Sequence, residues 1–212
     1  MRLLQPFPVP MSPWTDLSMD FITTLPPSQG YSVILVVVDR FTKGTHFGAL
    51  TSYFSSHKVT ILFLDMICKL HGLPRNIISN RDPIFVSHFW WELLTKCGTN
   101  LRMSTSYHSQ TNRLNEVLNC TLEQYLHCFI HEALTKWFSY LSLVEWYYNT
   151  SVYSFIGVTS FEATYDKPPP AIPQYLLGSS NMDVVDYLLS SRQDLCNILH
   201  YRLLKTQRAM KI

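Results

Sequence analysis

Three residues of this sequence have side chains and neighbours suited to holding divalent metal ions. Asp20 lies in an alternating stretch of apolar and polar residues, Asn80 follows a short apolar run, and Glu116 begins a segment with helical spacing. Thirty-five residues separate Asn80 from Glu116. Carboxylate oxygens are the ligands that hard cations such as Mg2+ prefer. With an aspartate at position 80, the set would offer three carboxylates to a pair of divalent ions, which catalyse displacement at phosphate groups.

The asparagine at position 80 weakens this chemistry. An amide offers one neutral carbonyl oxygen, without the charge or the second oxygen of a carboxylate. Because Mg2+ requires near-ideal octahedral oxygen ligands, the sequence predicts weak metal binding and a loss of turnover of at least ~10²–10³. Asp82 is the one candidate to replace the missing carboxylate, although Pro83 and the end of the strand are expected to turn it elsewhere.

Five strands are expected to position these residues. Tyr31–Asp39 is continuously apolar, which is typical of a central strand buried on both faces. Trp14–Thr24 alternates, with Asp20 on the less apolar side. The remaining predicted strands are Thr45–Leu50, Ile77–Ile78 and Leu101–Thr105.

Helical spacing follows in several segments. A first helix from Ser56 is predicted to bury Val59, Phe63, Met66 and Leu70 before Gly72 and Pro74 end it. A second, from Ser87 to Gly98, is predicted to bury Phe89, Trp90, Leu93 and Leu94. Glu116 is expected in the first turn of a long helix, on the side away from the core. Further helices are predicted at about Trp137–Tyr148 and Ser160–Tyr165.

Six aromatic residues recur at helical spacing and are expected in the core rather than on a surface that stacks against bases. They are Trp90, Trp91, Trp137, Trp146, Tyr147 and Tyr148.

This order predicts an α/β fold, a mixed five-stranded sheet with helices on both faces. The predicted organisation is an extended proline-rich arm at residues 1–13, a domain at 14–166, a proline-rich linker at 167–181 and a C-terminal helix at 182–212.

Composition excludes some classes of function and leaves others open. The chain has 212 residues, 47% of them hydrophobic, and a formal net charge of +2, which is too small to indicate a nucleic-acid partner by itself. Its five cysteines form no C-x-x-C pair and predict buried free thiols in a reducing compartment. The prolines near the start and the short aliphatic runs predict a soluble intracellular protein with no membrane span.

Several separate blocks resemble the integrase core of Ty3/gypsy-type retrotransposons. The blocks are SMDFI with ILVVVDRFTK, HGLPRNIISNRDPIF, MSTSYHSQTNRLNEVLN and WYYNTSVYSFIGVTSFEATYDKPPP, and they lie in the family's order between about Trp14 and Pro170. The resemblance implies a ribonuclease-H-like fold in a nuclear enzyme that trims DNA ends and joins them to target DNA. It implies Mg2+ or Mn2+ as cofactor, DNA and a homo-oligomer as partners, and no small-molecule substrate.

The resemblance assigns roles to individual residues. Asp20, Asn80 and Glu116 occupy the family's catalytic positions, and Asp20 and Glu116 would be metal ligands. The implied nucleic-acid-binding residues are Arg81, His108, Gln110, Arg113 and Asn119. Scattered cations such as Lys43 and Arg102 would extend a DNA track or lie on the solvated surface.

The sequence departs from the family near this site. The family loop HPQTDGQTE is HSQTNRLNE here, so Ser109, Asn112 and Arg113 replace a proline, an aspartate and a glycine, and Cys120 and His127 replace two arginines. These changes and Asn80 predict an inactive integrase core. The alternatives are a non-catalytic DNA-binding or protein-interaction remnant and an inert remnant.

Overall fold

The computed structural model describes residues 10–23, 25–103, 136–152, 157–170, 175–176, 178–190, 192–194 and 197. A five-stranded sheet forms the centre of this part of the chain. Its strands are β1 (Asp16–Ile22), β2 (Val33–Asp39), β3 (Thr45–Leu50), β4 (Asn76–Ser79) and β5 (Asn100–Met103). The five predicted strands are therefore confirmed within the described residues. β1 and β2 are shorter than predicted, β3 has the predicted bounds, β4 is one residue longer at each end, and β5 begins one residue earlier.

The strand order β3-β2-β1-β4-β5 places β1 at the centre of the sheet. β1 pairs antiparallel with β2 and parallel with β4, and β4 pairs parallel with β5. The sheet is mixed, as predicted, because the first three strands form a meander and the last two return through helices. Because β1 and β4 are parallel neighbours, their C-terminal ends lie side by side at the same edge of the sheet.

Helices cover both faces of the sheet. On one face lie α1 (Ser56–Phe63), a π-helical turn (Leu64–Cys68), α2 (Lys69–His71) and α3 (His88–Lys96). On the other face lies α4 (Trp137–Thr150), followed by α5 (Ser160–Tyr165). Alternate residues of β2 contact the two cores: Val33, Leu35 and Val37 pack on the side of α1 and α3, and Ile34, Val36 and Val38 on the side of α4. This is why β2 has no polar residue before Asp39.

The predicted buried stripe of the first helix is wrong at its C-terminal end. Val59, Phe63 and Ile67 are fully buried, whereas Met66 is half-buried and Leu70 is 60% exposed. The π-helical turn explains the shift, because its wider turn moves the buried stripe to a spacing of four residues. His71, rather than Leu70, therefore continues the inward side.

The prediction for the second helix is also wrong in part. Ser87 caps α3 by accepting from the Trp90 N–H, and Trp90 and Leu94 are buried. Phe89 and Trp91, both predicted to be core residues, are 42% and 38% exposed, and Leu93 is half-buried. A nine-residue helix on a sheet buries a narrow stripe, so residues one position from Trp90 point sideways. Of the other predicted core aromatics, Trp137 and Tyr148 are buried and Trp146 and Tyr147 are half-buried.

The prediction of buried thiols is wrong for Cys97, which is exposed. Cys68 is half-buried, and burial raises the pKa of its thiol to about 11.

Some predicted segments lie outside the described residues. They are the long helix beginning at Glu116 and residues 1–9 of the proline-rich arm. The linker at 167–181 and the other domain limits stay predictions. Within the described ranges, none of the helices combines the length and the hydrophobicity needed to span a lipid bilayer.

Candidate active site

Asp20 and Asn80 are brought together by the parallel pairing of β1 and β4. Met19 pairs with Ser79, so Asp20 and Asn80 are the next residues along the two strands. The Asn80 Nδ2 donates a hydrogen bond of 2.6 Å to the Asp20 Oδ1. The same oxygen accepts the N–H of Phe21 at 2.8 Å. Two hydrogen bonds use both lone pairs of Oδ1, so this oxygen is committed to the protein.

The orientation of the Asn80 amide follows from its second hydrogen bond. Its Oδ1 accepts the N–H of Asp82 at 3.0 Å. In the flipped orientation, the amide NH2 would face a backbone N–H and the amide oxygen would face the Asp20 carboxyl oxygen. Since both contacts would then be repulsive, the observed orientation is the one the network allows.

Asp82 has its own structural role. Its Oδ1 accepts the N–H of Ile84 at 2.9 Å, an Asx turn that redirects the chain after β4. Its carbonyl accepts the N–H of Val86 at 3.2 Å. The carboxyl group that sequence reasoning considered as a replacement for the missing ligand is therefore engaged in the turn that leads to α3.

A second pair of the same type lies four residues earlier on the same two strands. Asp16 is in register with Asn76, and the Asn76 Nδ2 donates to the Asp16 Oδ1 at 2.7 Å. Hydrogen bonds from an asparagine to an aspartate therefore join these two parallel strands at two positions.

The other predicted site residues have different outcomes. Glu116 and the predicted DNA contacts His108, Gln110, Arg113 and Asn119 lie outside the described residues. Arg81 is exposed directly after Asn80. Lys43 is half-buried, and its Nζ donates to the Arg40 carbonyl at 2.7 Å. Burial and the neighbouring Arg40 lower the pKa of Lys43, which is therefore part of the β2–β3 turn rather than a freely solvated cation.

A cluster of histidines that sequence reasoning missed lies beside β3. The His46 Nδ1 is 2.8 Å from the Glu145 Oε1, and its Nε2 is 3.0 Å from the His71 Nε2. Trp14 stacks on His71 at a centroid distance of 3.9 Å. Burial and, second, the nearby His46 lower the pKa of His71 to about 4, so its imidazole is neutral at pH 7. His46 and Glu145 are 99 residues apart, and no local spacing signals their contact.

The comparisons with known proteins agree with this fold. The sequence is 35% identical over 170 residues to the Tf2-3 and Tf2-4 transposon polyproteins of Schizosaccharomyces pombe, covering 80% of this chain. The chain spans about 13% of the length of these relatives. No family model matches the sequence.

Solved structures of integrases have the same fold. The HTLV-2 integrase catalytic core domain in complex with magnesium aligns with a TM-score of 0.59 over 73% of this chain and 99% of that chain, at 18% identity. A simian T-cell lymphotropic virus intasome in complex with PP2A regulatory subunit B56 gamma aligns with a TM-score of 0.65 over 84% of this chain and 63% of that chain, at 17% identity. The chain belongs to the Ty3/gypsy-type retrotransposon polyproteins, and its structural neighbours are retroviral integrase catalytic cores. Its fold is ribonuclease-H-like.

The described residues around Asp20 and Asn80 do not fit a pair of divalent metal ions. No group of three or more His, Cys, Asp or Glu side chains within the described ranges is arranged to hold a metal ion. A cation next to the Asp20 Oδ1 would meet the NH2 group of Asn80, a donor rather than a ligand. Both hydrogen bonds of the Asn80 amide, to the Asp20 Oδ1 and to the Asp82 N–H, would have to break before the Asp20 Oδ1 could bind a cation.

Proposed function

We propose that this integrase core retains the DNA-binding surface of the family but does not catalyse metal-dependent strand transfer. The single observation that supports the proposal is the hydrogen bond from the Asn80 Nδ2 to the Asp20 Oδ1 at 2.6 Å. It replaces a ligand with a donor at the position where the family has its second metal-binding aspartate. Asp20, Asn80 and Glu116 are thus proposed to occupy the catalytic positions, with two carboxylates where three are needed.

Electrostatics explains why two carboxylates are insufficient. Two divalent ions carry four positive charges, and catalysis at phosphate requires both ions to be held rigidly about 3.5–4 Å apart. An uncharged amide removes one negative charge and one chelating oxygen. Mg2+ is affected most, because it exchanges its water for ligands only in near-ideal geometry. Mn2+ is the more tolerant of the two cofactors proposed for this site.

The proposed DNA surface includes residues at the exit of β4. Arg81 is exposed next to Asn80 and is placed to contact a phosphate beside the site. His108, Gln110 and Asn119 are proposed as further contacts on the basis of the family resemblance, and Arg113 on the basis of its positive charge. Because phosphate contacts release counterions, DNA binding should weaken steeply with salt.

Self-association and a nuclear location complete the proposal. The related HTLV-2 core domain was solved in trimeric and dimeric forms. We propose that this core also forms homo-oligomers and acts in the nucleus, where target DNA lies.

The test is a strand-transfer assay on a short duplex with Mn2+ or Mg2+. The native chain should show no product, whereas Asn80→Asp should restore Mn2+-dependent product if the rest of the site is competent. Asn76→Asp is the matched control, because it places the same new carboxylate opposite Asp16 on the same two strands. Strand transfer by the native chain above the level of the control would contradict the proposal.

DNA binding is measured separately by fluorescence anisotropy over a range of salt concentrations. The native chain and Asn80→Asp should bind a labelled duplex with similar salt dependence, and Arg81→Ala should reduce the slope by about one. Absence of salt-dependent binding would contradict the DNA-binding part of the proposal and, together with no restored catalysis in Asn80→Asp, would favour the inert remnant.

A further inference from the structure

A cavity with aromatic walls lies apart from the Asp20–Asn80 pair, with which it shares no lining residue. It has a volume of about 190 Å³ and is lined by residues of β3, α4 and α5 together with Trp14. Its aromatic residues are Trp14, Trp146, Phe161 and Tyr165. Trp146 and Phe161 contact edge to face at 5.8 Å, and Phe161 and Tyr165 lie 4.7 Å apart at 50°. The rings therefore present differently oriented faces and edges around one space.

One carboxylate contributes to the wall of this cavity. The Glu145 Oε1 pairs with the His46 Nδ1 at 2.8 Å, and its Oε2 accepts the Phe47 N–H at 2.7 Å. The Glu145 side chain is 25% exposed. Each carboxylate oxygen can accept a second hydrogen bond, so these contacts fix the group without saturating it.

The charge of the cavity favours a cation. No lysine or arginine is among the described residues that line it. His46, which also lines the cavity, contacts His71 through Nε2 atoms 3.0 Å apart. Among the described residues that line the cavity, Glu145 is the one acidic side chain. A phosphate or carboxylate ligand would be repelled by it.

We propose that this cavity binds an alkylammonium cation. Aromatic faces attract cations through their quadrupole, and quaternary ammonium groups are recognised in sites that combine several rings. Methyl groups on the nitrogen would contact the rings, and Glu145 would supply the opposite charge. Tyr165 is 49% exposed and stands at the rim. The site is independent of the proposed nucleic-acid surface, since it shares no residue with it.

Alkylammonium groups have two sources that the experiment must separate. One is the side chain of lysine or methylated lysine in a peptide, and the other is a free amine such as choline. The probes are therefore N-acetyl-trimethyllysine amide, choline and tetramethylammonium chloride. The neutral control is tert-butanol, which has nearly the shape of tetramethylammonium but no charge.

Binding is followed on the full chain by indole N–H resonances in two-dimensional NMR. Trp14 and Trp146 line the cavity, whereas Trp90 and Trp137 are fully buried in other parts of the core. The cations should shift the resonances of Trp14 and Trp146 in a saturable way and leave Trp90 and Trp137 unchanged. Tighter binding of the lysine derivative than of choline would assign the site to a peptide side chain, and the reverse order would assign it to a free amine.

Variants test which groups carry the binding. Glu145→Gln removes the charge but also disturbs His46 and Phe47, so it serves only if its fold is intact. Tyr165→Leu removes a half-exposed rim ring, keeps an apolar side chain against Phe161 and should weaken cation binding by about fivefold. Tyr53→Leu is the control, because Tyr53 is 91% exposed and does not line this cavity.

Three results would overturn the proposal. The first is an equal response to tert-butanol and tetramethylammonium, which would show an apolar cavity without preference for charge. The second is the absence of saturable shifts at Trp14 and Trp146 with all three cations. The third is equal affinity in Tyr165→Leu and the native chain. None of these results would bear on strand transfer or DNA binding, which are measured at the other site.

Discussion

Asn80 and Asp20 lie side by side on neighbouring parallel strands, with Nδ2 2.6 Å from Oδ1, and this pair repeats the Asn76–Asp16 pair four residues earlier at 2.7 Å. Because the same hydrogen bond occurs twice, we infer that the Asn80 amide helps to hold β1 and β4 together. A substitution that restores the family's carboxylate therefore has a structural cost as well as a catalytic effect.

Asn80→Asp should make the stability of the chain depend on divalent metal. Without metal, the substitution replaces a hydrogen bond by two facing carboxyl groups, and the free energy of unfolding should fall by about 1–2 kcal/mol for this half-buried pair. Mn2+ should recover the loss, because ions that bind only the folded state stabilise it. Thermal denaturation with EDTA and with Mn2+ measures both effects.

The control for this prediction is Asn76→Asp. It should lose a similar amount of stability but recover nothing with Mn2+, because Asp16 has no counterpart to Glu116 in the family resemblance. Equal metal responses in the two variants would show non-specific binding of metal to paired carboxylates rather than a metal position at Asp20.

Asp82→Asn should preserve both the fold and any activity restored in Asn80→Asp. The amide oxygen of asparagine can accept the Ile84 N–H in place of the Asp82 Oδ1, so the Asx turn is kept. The double variant Asn80→Asp with Asp82→Asn is assayed for Mn2+-dependent strand transfer against Asn80→Asp alone. A loss of the restored activity would show that the Asp82 carboxylate is a ligand.

Stability should fall with acid because of His71. Its pKa is about 4 in the folded protein, below the ordinary value of 6.5, because burial and His46 disfavour the charged form. The unfolded chain therefore binds more protons between pH 6.5 and 4. The contribution of His71 is present above pH 6.5 and is lost as the pH falls toward 4.

The measurement is the melting temperature between pH 7.5 and pH 4. His71→Phe retains a ring to stack on Trp14 and should flatten the dependence in this window. His88→Gln is the control, because the His88 side chain is 90% exposed and should leave the slope unchanged. Identical slopes in the native chain and His71→Phe would assign the acid sensitivity to other groups.

Gly48→Ala should destabilise the packing of β3 against α1. A Cβ at position 48 would lie 2.6 Å from the Leu62 Cδ2 and 2.9 Å from its Cγ, closer than van der Waals contact. Overpacking of this kind costs about 1–3 kcal/mol. In a double-mutant cycle measured by chemical denaturation, Leu62→Ala should recover part of this cost. Strict additivity of the two substitutions would contradict the predicted contact.

Sequence pattern alone determined most of the fold. The unbroken apolar run of β2 predicts a strand buried on both faces, and the structure buries all seven of its residues. Ser87 and Gly98 mark the two ends of the segment containing α3, because a capping side chain and a glycine with positive φ are local requirements. The identity of residue 80 and its distance along the chain from Glu116 likewise raised the question of a missing ligand.

Tertiary structure decided what the sequence pattern could not. Which way Asn80 donates depends on the parallel register of β4 with β1 and on the backbone N–H of Asp82, neither of which is a local property. The exposure of Trp91 and Leu70 depends on how narrow a stripe each helix buries and on the π-helical turn. The cavity beside Glu145 has walls from four separate parts of the chain, namely Trp14, β3, α4 and α5. These parts are distant in sequence and meet only through tertiary packing, so no local spacing predicts the cavity.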